Sequence, residues 1–205
     1  MLKYFSIGGV ILRVISGKAK GRKLKCPPGK AIRPTSDMVK ESLFNIIGAD
    51  IYNSRFLDLF SGTGSIGIEA LSRGANICYF VEKVYNNIKY INDNIKLLDS
   101  TDNAKVLHMD VLDALYYFSK NDIKFDIIYI DPPYYKNLYV EPLNKISEYK
   151  LLDSYGYIIV EHHKNDILND KYGNLQKVRV RKYGETVLTF YKEAANEYSS
   201  VSREL

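Results

Sequence analysis

Residues 56–67 read FLDLFSGTGSIG, and what their glycines touch decides the fold. Gly62, Gly64 and Gly67 satisfy the G-x-G-x-x-G spacing of a nicotinamide or flavin site, and Glu82 stands about twenty residues on, where the ribose-binding acid of that motif belongs. Asp58 argues against a dinucleotide, because a carboxylate beside a bound pyrophosphate is repelled by it. The glycines then suit a nucleotide that carries no phosphate.

Outward from this stretch the chain alternates strand-like and helix-like segments. Apolar strand candidates are Phe56–Phe60, Ile77–Glu82, Lys105–Asp110, Phe125–Asp131 and Tyr157–Glu161. Between the second and third, Val84, Ile88, Ile91, Ile95 and Leu98 recur at helical spacing. This alternation predicts a parallel sheet covered by helices on both faces. Two last strands, Val178–Lys182 and Thr186–Lys192, flank Tyr183-Gly184-Glu185, a hairpin with glycine at the turn. Five parallel strands and a closing antiparallel hairpin make the seven-stranded, Rossmann-like class I methyltransferase sheet. A dehydrogenase would more often add a sixth parallel strand and a substrate domain, for which there is no room.

The first 50 residues differ in kind. Short β-like pieces are broken by Gly17, Gly21 and Pro27-Pro28, and Arg33-Pro34-Thr35-Ser36 introduces a helix capped by Thr35 or Ser36, with Val39, Leu43, Ile46 and Ile47 as its buried stripe. Residues 13–40 carry nine cations against Asp37 alone, a balance of +8 in a chain of net charge +5, so the remainder is slightly acidic. A basic arm of this kind suits a polyanionic partner, although a solvated surface explains a charge run equally well. The expected organisation is a tail over 1–12, a basic β-hairpin and helix extension over 13–50, a catalytic domain over 51–192 and a tail over 193–205.

Composition excludes several classes. With 205 residues and 46% apolar content the chain can fill one domain core. No apolar run reaches membrane-spanning length, and MLKYFSIGGVIL lacks the length and cleavage site of a signal peptide. Cys26 and Cys78 form no C-x-x-C pair, so neither a disulfide framework nor a zinc site is expected, and a reduced cytoplasmic setting is the default. A monomer is expected.

A second motif narrows the chemistry. Residues 125–135 read FDIIYIDPPYY: a buried central strand, then Asp131, Pro132, Pro133 and Tyr134 at its carboxyl end, where open α/β sheets gather ligands. Paired prolines stop the strand and leave no N–H groups, so the Asp131 carboxylate and the Pro132 carbonyl stand as acceptors beside an aromatic ring. Two acceptors and a ring seat a planar base with an exocyclic amine. Accepting both amine hydrogens from outside the base plane pushes the nitrogen towards tetrahedral geometry and exposes its lone pair. Transfer then needs an electrophile in line, which S-adenosylmethionine supplies.

That cofactor resolves the Asp58 puzzle, since it is cationic and has no phosphate. Asp58 meets its positive charge, Gly62 and Gly64 allow close backbone approach, Glu82 accepts from the ribose hydroxyls and Asp110 from the adenine amine. Phe60, Thr63, Lys83, Val111 and Asp131 complete the candidate cofactor set. Each signal alone is weak or moderate, and the weight lies in acids falling at the ends of successive strands.

Together, RVISGKAKGRKL, IRPTSDMVKESLFNII, LDLFSGTGSIGIEALSRGA, FVEK, IDPPY and YGET resemble the RsmD-type 16S rRNA (guanine-N2)-methyltransferases, from about Arg13 to Lys192. The resemblance implies methylation of one guanine amine of small-subunit ribosomal RNA, in an assembled or assembling particle. It gives Asp131, Pro132, Pro133 and Tyr134 the catalytic role. Arg13, Lys18, Lys20, Arg22, Lys23, Arg33 and Thr35 become RNA contacts, and no metal is implied. Rival readings are a DNA adenine-N6 methyltransferase, for which a target-recognition region is missing, and a non-catalytic RNA-binding protein of the same fold. Glu161-His162-His163 reads as structural or as an RNA-contacting rim, and His108 as packed.

Overall fold

The structure, a computed structural model, describes residues 12–27, 37–98, 101–133 and 138–194. Arg33, Thr35, Ser36 and Tyr134 lie outside them, as do the first eleven and last eleven positions. The chain divides into two compact units, Met1–Ala114 and Leu115–Leu205.

In the first unit α1 (Asp37–Ile47) and a short 3-10 turn (Gly48–Ile51) lead into β1 (Arg55–Asp58), α2 (Ser65–Ser72), β2 (Ile77–Glu82), α3 (Tyr85–Ile95) and β3 (Ala104–His108). β1 pairs parallel with β2, with Asp58 opposite Phe80, and β2 pairs parallel with β3, with Glu82 opposite His108. The α3 stripe buries Ile88, Ile91 and Ile95, but Val84 is the residue preceding the helix and is 47% exposed. In α1 the buried face is Val39, Lys40, Leu43, Phe44 and Ile47, so Phe44 replaces the expected Ile46.

Residues 12–27 form a strap with one antiparallel bridge, Arg13 to Lys23. Leu12, Val14, Ala19 and Leu24 are buried beneath it. Its main chain is held by buried polar side chains of the helices. Glu69, wholly buried in α2, accepts from the Ile15 and Ser16 N–H groups at 2.7 and 2.9 Å and from Arg73 Nε at 2.6 Å. Ser72 Oγ donates to the Ser16 carbonyl at 2.6 Å and accepts from the Ala19 N–H at 2.9 Å. Lys40, also wholly buried, places Nζ 3.8 Å from Glu69 and donates to the Arg13 carbonyl. Burial lowers its pKa against the pull of Glu69. One cation of the basic run is therefore an internal fastener rather than surface charge.

α4 (Val111–Lys120) begins in the first unit. The second holds β4 (Phe125–Ile130), α5 (Val140–Tyr149), β5 (Leu152–His163), β6 (Lys171–Tyr172), β7 (Leu175–Tyr183) and β8 (Thr186–Glu193). In β4, Phe125, Ile127, Ile128, Tyr129 and Ile130 are at most 1% exposed, at about 1.5–3 kcal/mol of apolar burial for each large side chain. β4 and β5 are parallel, while β5–β8, β8–β7 and β7–β6 are antiparallel.

The strand order is β3-β2-β1-β4-β5-β8-β7-β6, a mixed sheet of eight strands rather than the expected seven. The addition is β6, whose two residues are too few to show an alternating pattern. β5 also starts earlier than Tyr157, through exposed Asp153-Ser154-Tyr155, which interrupts the apolar run without ending the strand.

Candidate cofactor and base sites

The glycine turn of the first unit separates the three glycines by role. Gly62 and Gly64 take φ values of +54° and +78°. A Cβ at Gly62 would meet no described atom within 4 Å, whereas one at Gly67 would stand 2.3 Å from Phe80 Cε1 and 2.7 Å from Cys78 Sγ. Gly67 is there so that α2 can lie against β2. Gly62 faces open space among the described residues. The G-x-G-x-x-G spacing thus mixes one packing glycine with one that leaves room for a ligand.

Two carboxylates bracket this turn. Asp58, 2% exposed, accepts from the Gly67 N–H at 3.0 Å through Oδ2, which holds its carboxyl at the first turn of α2. Burial pushes its carboxyl up to about 7, opposed by that hydrogen bond and reinforced by the Glu82 charge. Glu82 is half-buried and binds inward: Oε2 accepts from the Gly62 N–H at 2.9 Å and Asn87 Nδ2 at 3.1 Å, and Oε1 from the Val84 N–H at 2.7 Å. It therefore ties the glycine turn to the β2–α3 loop. Thr63 is buried and Phe60 half-buried on the same turn.

After β3, Asp110 is exposed and immediately precedes α4. Its Oδ1 accepts from the Leu112 N–H at 3.1 Å, and Lys83 Nζ lies 3.6 Å from Oδ2. Both side chains are largely in solvent, so the pair contributes little to stability. Val111 beside it is 8% exposed. His108 is exposed rather than packed, with Nε2 donating to the Lys83 carbonyl at 3.1 Å and its ring 5.7 Å from that of Tyr85. As a carbonyl only accepts, Nε2 carries the hydrogen in this contact.

Asn94 is the residue that motif reading missed. Wholly buried in α3, its Oδ1 accepts from the Lys25 N–H at 2.7 Å while Nδ2 donates to the Lys25 carbonyl at 2.9 Å and to the Thr63 carbonyl at 3.1 Å. One side chain holds both the basic strap and the glycine turn. The available signal was a polar residue three positions after Ile91, inside the apolar stripe.

Lys18, Lys20, Arg22 and Lys23 are exposed on the strap. Arg13 is paired with Asp37 at 3.0 Å, and Lys25 with Asp93 at 2.9 Å.

In the second unit, Asp131 follows β4 half-buried, Pro132 is buried and Pro133 exposed. Tyr129 donates to Glu161 within this sheet, both nearly inaccessible. His162 donates from Nδ1 to the His163 carbonyl and accepts from Thr189 Oγ1 at 2.8 Å, and burial lowers its pKa. His163 donates to Glu185 at 3.1 Å. Glu161, His162 and His163 are thus interior, each with a hydrogen-bond partner, rather than at a rim. No group of metal-ligating residues occurs among the described residues, and no described helix is long and apolar enough to cross a membrane.

Residues 12–192 match the family described as "Conserved hypothetical protein 95". The chain is 42% identical over 182 residues to "Putative rRNA methyltransferase YlbH" of Bacillus subtilis (strain 168), covering 89% of this chain and 99% of that protein. It is 36% identical over 155 residues to "Ribosomal RNA small subunit methyltransferase D" of Haemophilus influenzae, covering 75% and 80%. Among solved structures, "Putative methyltransferase yhhF from Escherichia coli" superposes with a TM-score of 0.77 at 30% identity, covering 90% of this chain and 98% of that one. With the family matched along 181 of 205 positions, this chain belongs to the RsmD-type methyltransferases.

Proposed function

We propose that the chain transfers a methyl group from S-adenosylmethionine to the exocyclic N2 amine of one guanine in 16S ribosomal RNA, within the assembled or assembling small subunit. The observation that carries the reading is the turn at Gly62, open on its ligand side and bracketed by Asp58 and Glu82. The names of the relatives support ribosomal RNA as the substrate.

When bound, the cofactor supplies an electrophilic sulfonium methyl, together with an ammonium and a ribose diol. The donor set fits such a group. Asp58 is a buried carboxyl held at about 7, so a nearby cation is favourable where a phosphate would be repelled. Since Asp58 is 2% exposed, it acts through the field and by shaping the turn. Glu82 accepts three donors, and a carboxylate offers about four lone-pair sites, which leaves room for one ribose hydroxyl. Asn87, the one side-chain donor among the three, can rotate away to admit the second. Asp110 takes the adenine amine from the end of β3.

Asp131 and the Pro132 carbonyl accept the two hydrogens of the guanine amine and turn its lone pair out of conjugation, and Tyr134 stacks on the base. After transfer the nitrogen is strongly acidic, and Asp131 or water takes its proton, so no dedicated base is needed. The exposed strap cations bind RNA phosphates. Labelled methyl transfer offered in parallel to unmodified small subunits, naked 16S RNA and duplex DNA tests this reading. Label in RNA supports it, and label in DNA alone overturns it.

A further inference from the structure

The second unit ends its sheet in a strand that is exposed on both faces. β7 pairs with β8 from Leu175↔Glu193 to Tyr183↔Thr186, but β6 meets β7 only at Leu175 and Gln176. Beyond Gln176 the other edge of β7 has no strand partner among the described residues. Every residue from Val178 to Lys182 is exposed, while Val187, Leu188, Thr189 and Phe190 opposite them are buried.

This edge is basic: Arg179, Arg181 and Lys182 fall within four residues, and no acid lies between Gln176 and Gly184. Arg179 and Lys182 make no side-chain hydrogen bond or ion pair among the described residues, and Arg181 donates only to the neighbouring Val180 carbonyl, at 3.1 Å. The nearby acids are engaged elsewhere, Glu185 by Lys164 and His163, and Asp170 by Lys177.

Charge on an edge strand also discourages strand-to-strand aggregation, but here a register shift around Val178 already disrupts the edge. Arginine adds what edge protection does not require, a planar fork matched to phosphate oxygens. Arg179 and Arg181 lie two residues apart on a strand, about 7 Å, the scale of successive phosphates along a nucleic-acid strand. The main-chain N–H groups of the same edge, which have no strand partner among the described residues, are further phosphate donors.

We propose that the β7 edge from Val178 to Tyr183 binds the sugar–phosphate backbone of the RNA substrate, in addition to the N-terminal strap. The proposal rests on RNA being the substrate.

The test is the Arg179→Gln/Arg181→Gln protein beside its Arg179→Lys/Arg181→Lys counterpart, with binding to unmodified 16S RNA measured across a salt series. The glutamine pair should flatten the salt slope by about one per arginine and raise the KM for RNA several-fold, while S-adenosylhomocysteine affinity stays at the wild-type value. The lysine pair should restore the slope. An unchanged slope and KM in the glutamine pair would overturn the proposal. Unchanged RNA binding with new self-association would overturn it too, assigning the arginines to edge protection. If the wild-type protein methylates RNA and the variant binds it equally well, the β7 proposal alone falls. If the wild type methylates no RNA, the functional reading falls first.

Discussion

Asn94 donates its side-chain amide to the Thr63 carbonyl at 3.1 Å while binding both main-chain groups of Lys25. The glycine turn and the strap that carries the cations therefore share one buried fastener. Asn94→Ala removes the partner of three main-chain groups, at a cost on the order of 2 kcal/mol. We expect a lower Tm together with weaker S-adenosylhomocysteine binding, read by thermal unfolding and calorimetry. A lower Tm at unchanged affinity would confine Asn94 to holding the strap.

Asp58 gives the protein a pH signature. Its carboxyl is raised from 3.8 to about 7, chiefly by burial. Below pH 4 both folded and unfolded chains hold the proton. Between about 4 and 7 only the unfolded chain releases it, so the stability contributed at low pH is lost as pH rises through that window. Asp58→Asn should flatten this part of the stability profile. A bound cation favours the carboxylate, so S-adenosylmethionine binding near pH 7 should release protons and tighten from pH 6 to 8. Calorimetry in buffers of different ionisation enthalpy reads that release directly, and its absence would remove Asp58 from the electrostatics of the site.

The two glycine roles separate by mutation. Gly67→Ala drives a methyl group to 2.3 Å from Phe80 and should cost about 1–3 kcal/mol of stability. Gly62→Ala meets no described atom within 4 Å and strains only its φ of +54°, about 1–2 kcal/mol at most. Its larger effect should be on cofactor affinity, since the methyl group enters the open side. Equal loss of affinity in both variants, at matched stability, would contradict this division.

How far the sequence speaks for itself follows from these residues. β4 was legible because Ile127, Ile128, Tyr129 and Ile130 make an unbroken apolar run of nearly inaccessible side chains, and β2 because its own apolar stretch has the bounds of the strand, Ile77–Glu82. Lys40 was not. It reads as one more cation in a basic arm, and only the partners Glu69 and Arg13, distant in sequence, make it internal. His108 and Val84 failed for a related reason, since both stand at strand or helix ends, where periodicity no longer says which way a side chain points. The inward bonding of Glu82 was equally hidden, because an acid at a strand end reads the same whether it meets a ligand or the Gly62 amide.

On the strap, Lys20, Arg22 and Lys23 are exposed, unlike Lys40. Replacing all three by Gln should weaken RNA binding and reduce its salt dependence by up to about one per residue, with little change in Tm. An unaltered salt slope in filter binding would mean that this face of the strap meets only solvent.

In the proposed reaction Asp131 seats the guanine amine that receives the methyl group. The most direct test is to label unmodified small subunits with methyl-labelled S-adenosylmethionine, digest the RNA to nucleosides and identify the product made by the wild-type protein and by Asp131→Ala. The expected result is N2-methylguanosine from the wild type and none from the variant, which still binds S-adenosylhomocysteine. Label in any other nucleoside, or wild-type turnover by Asp131→Ala, would contradict the account.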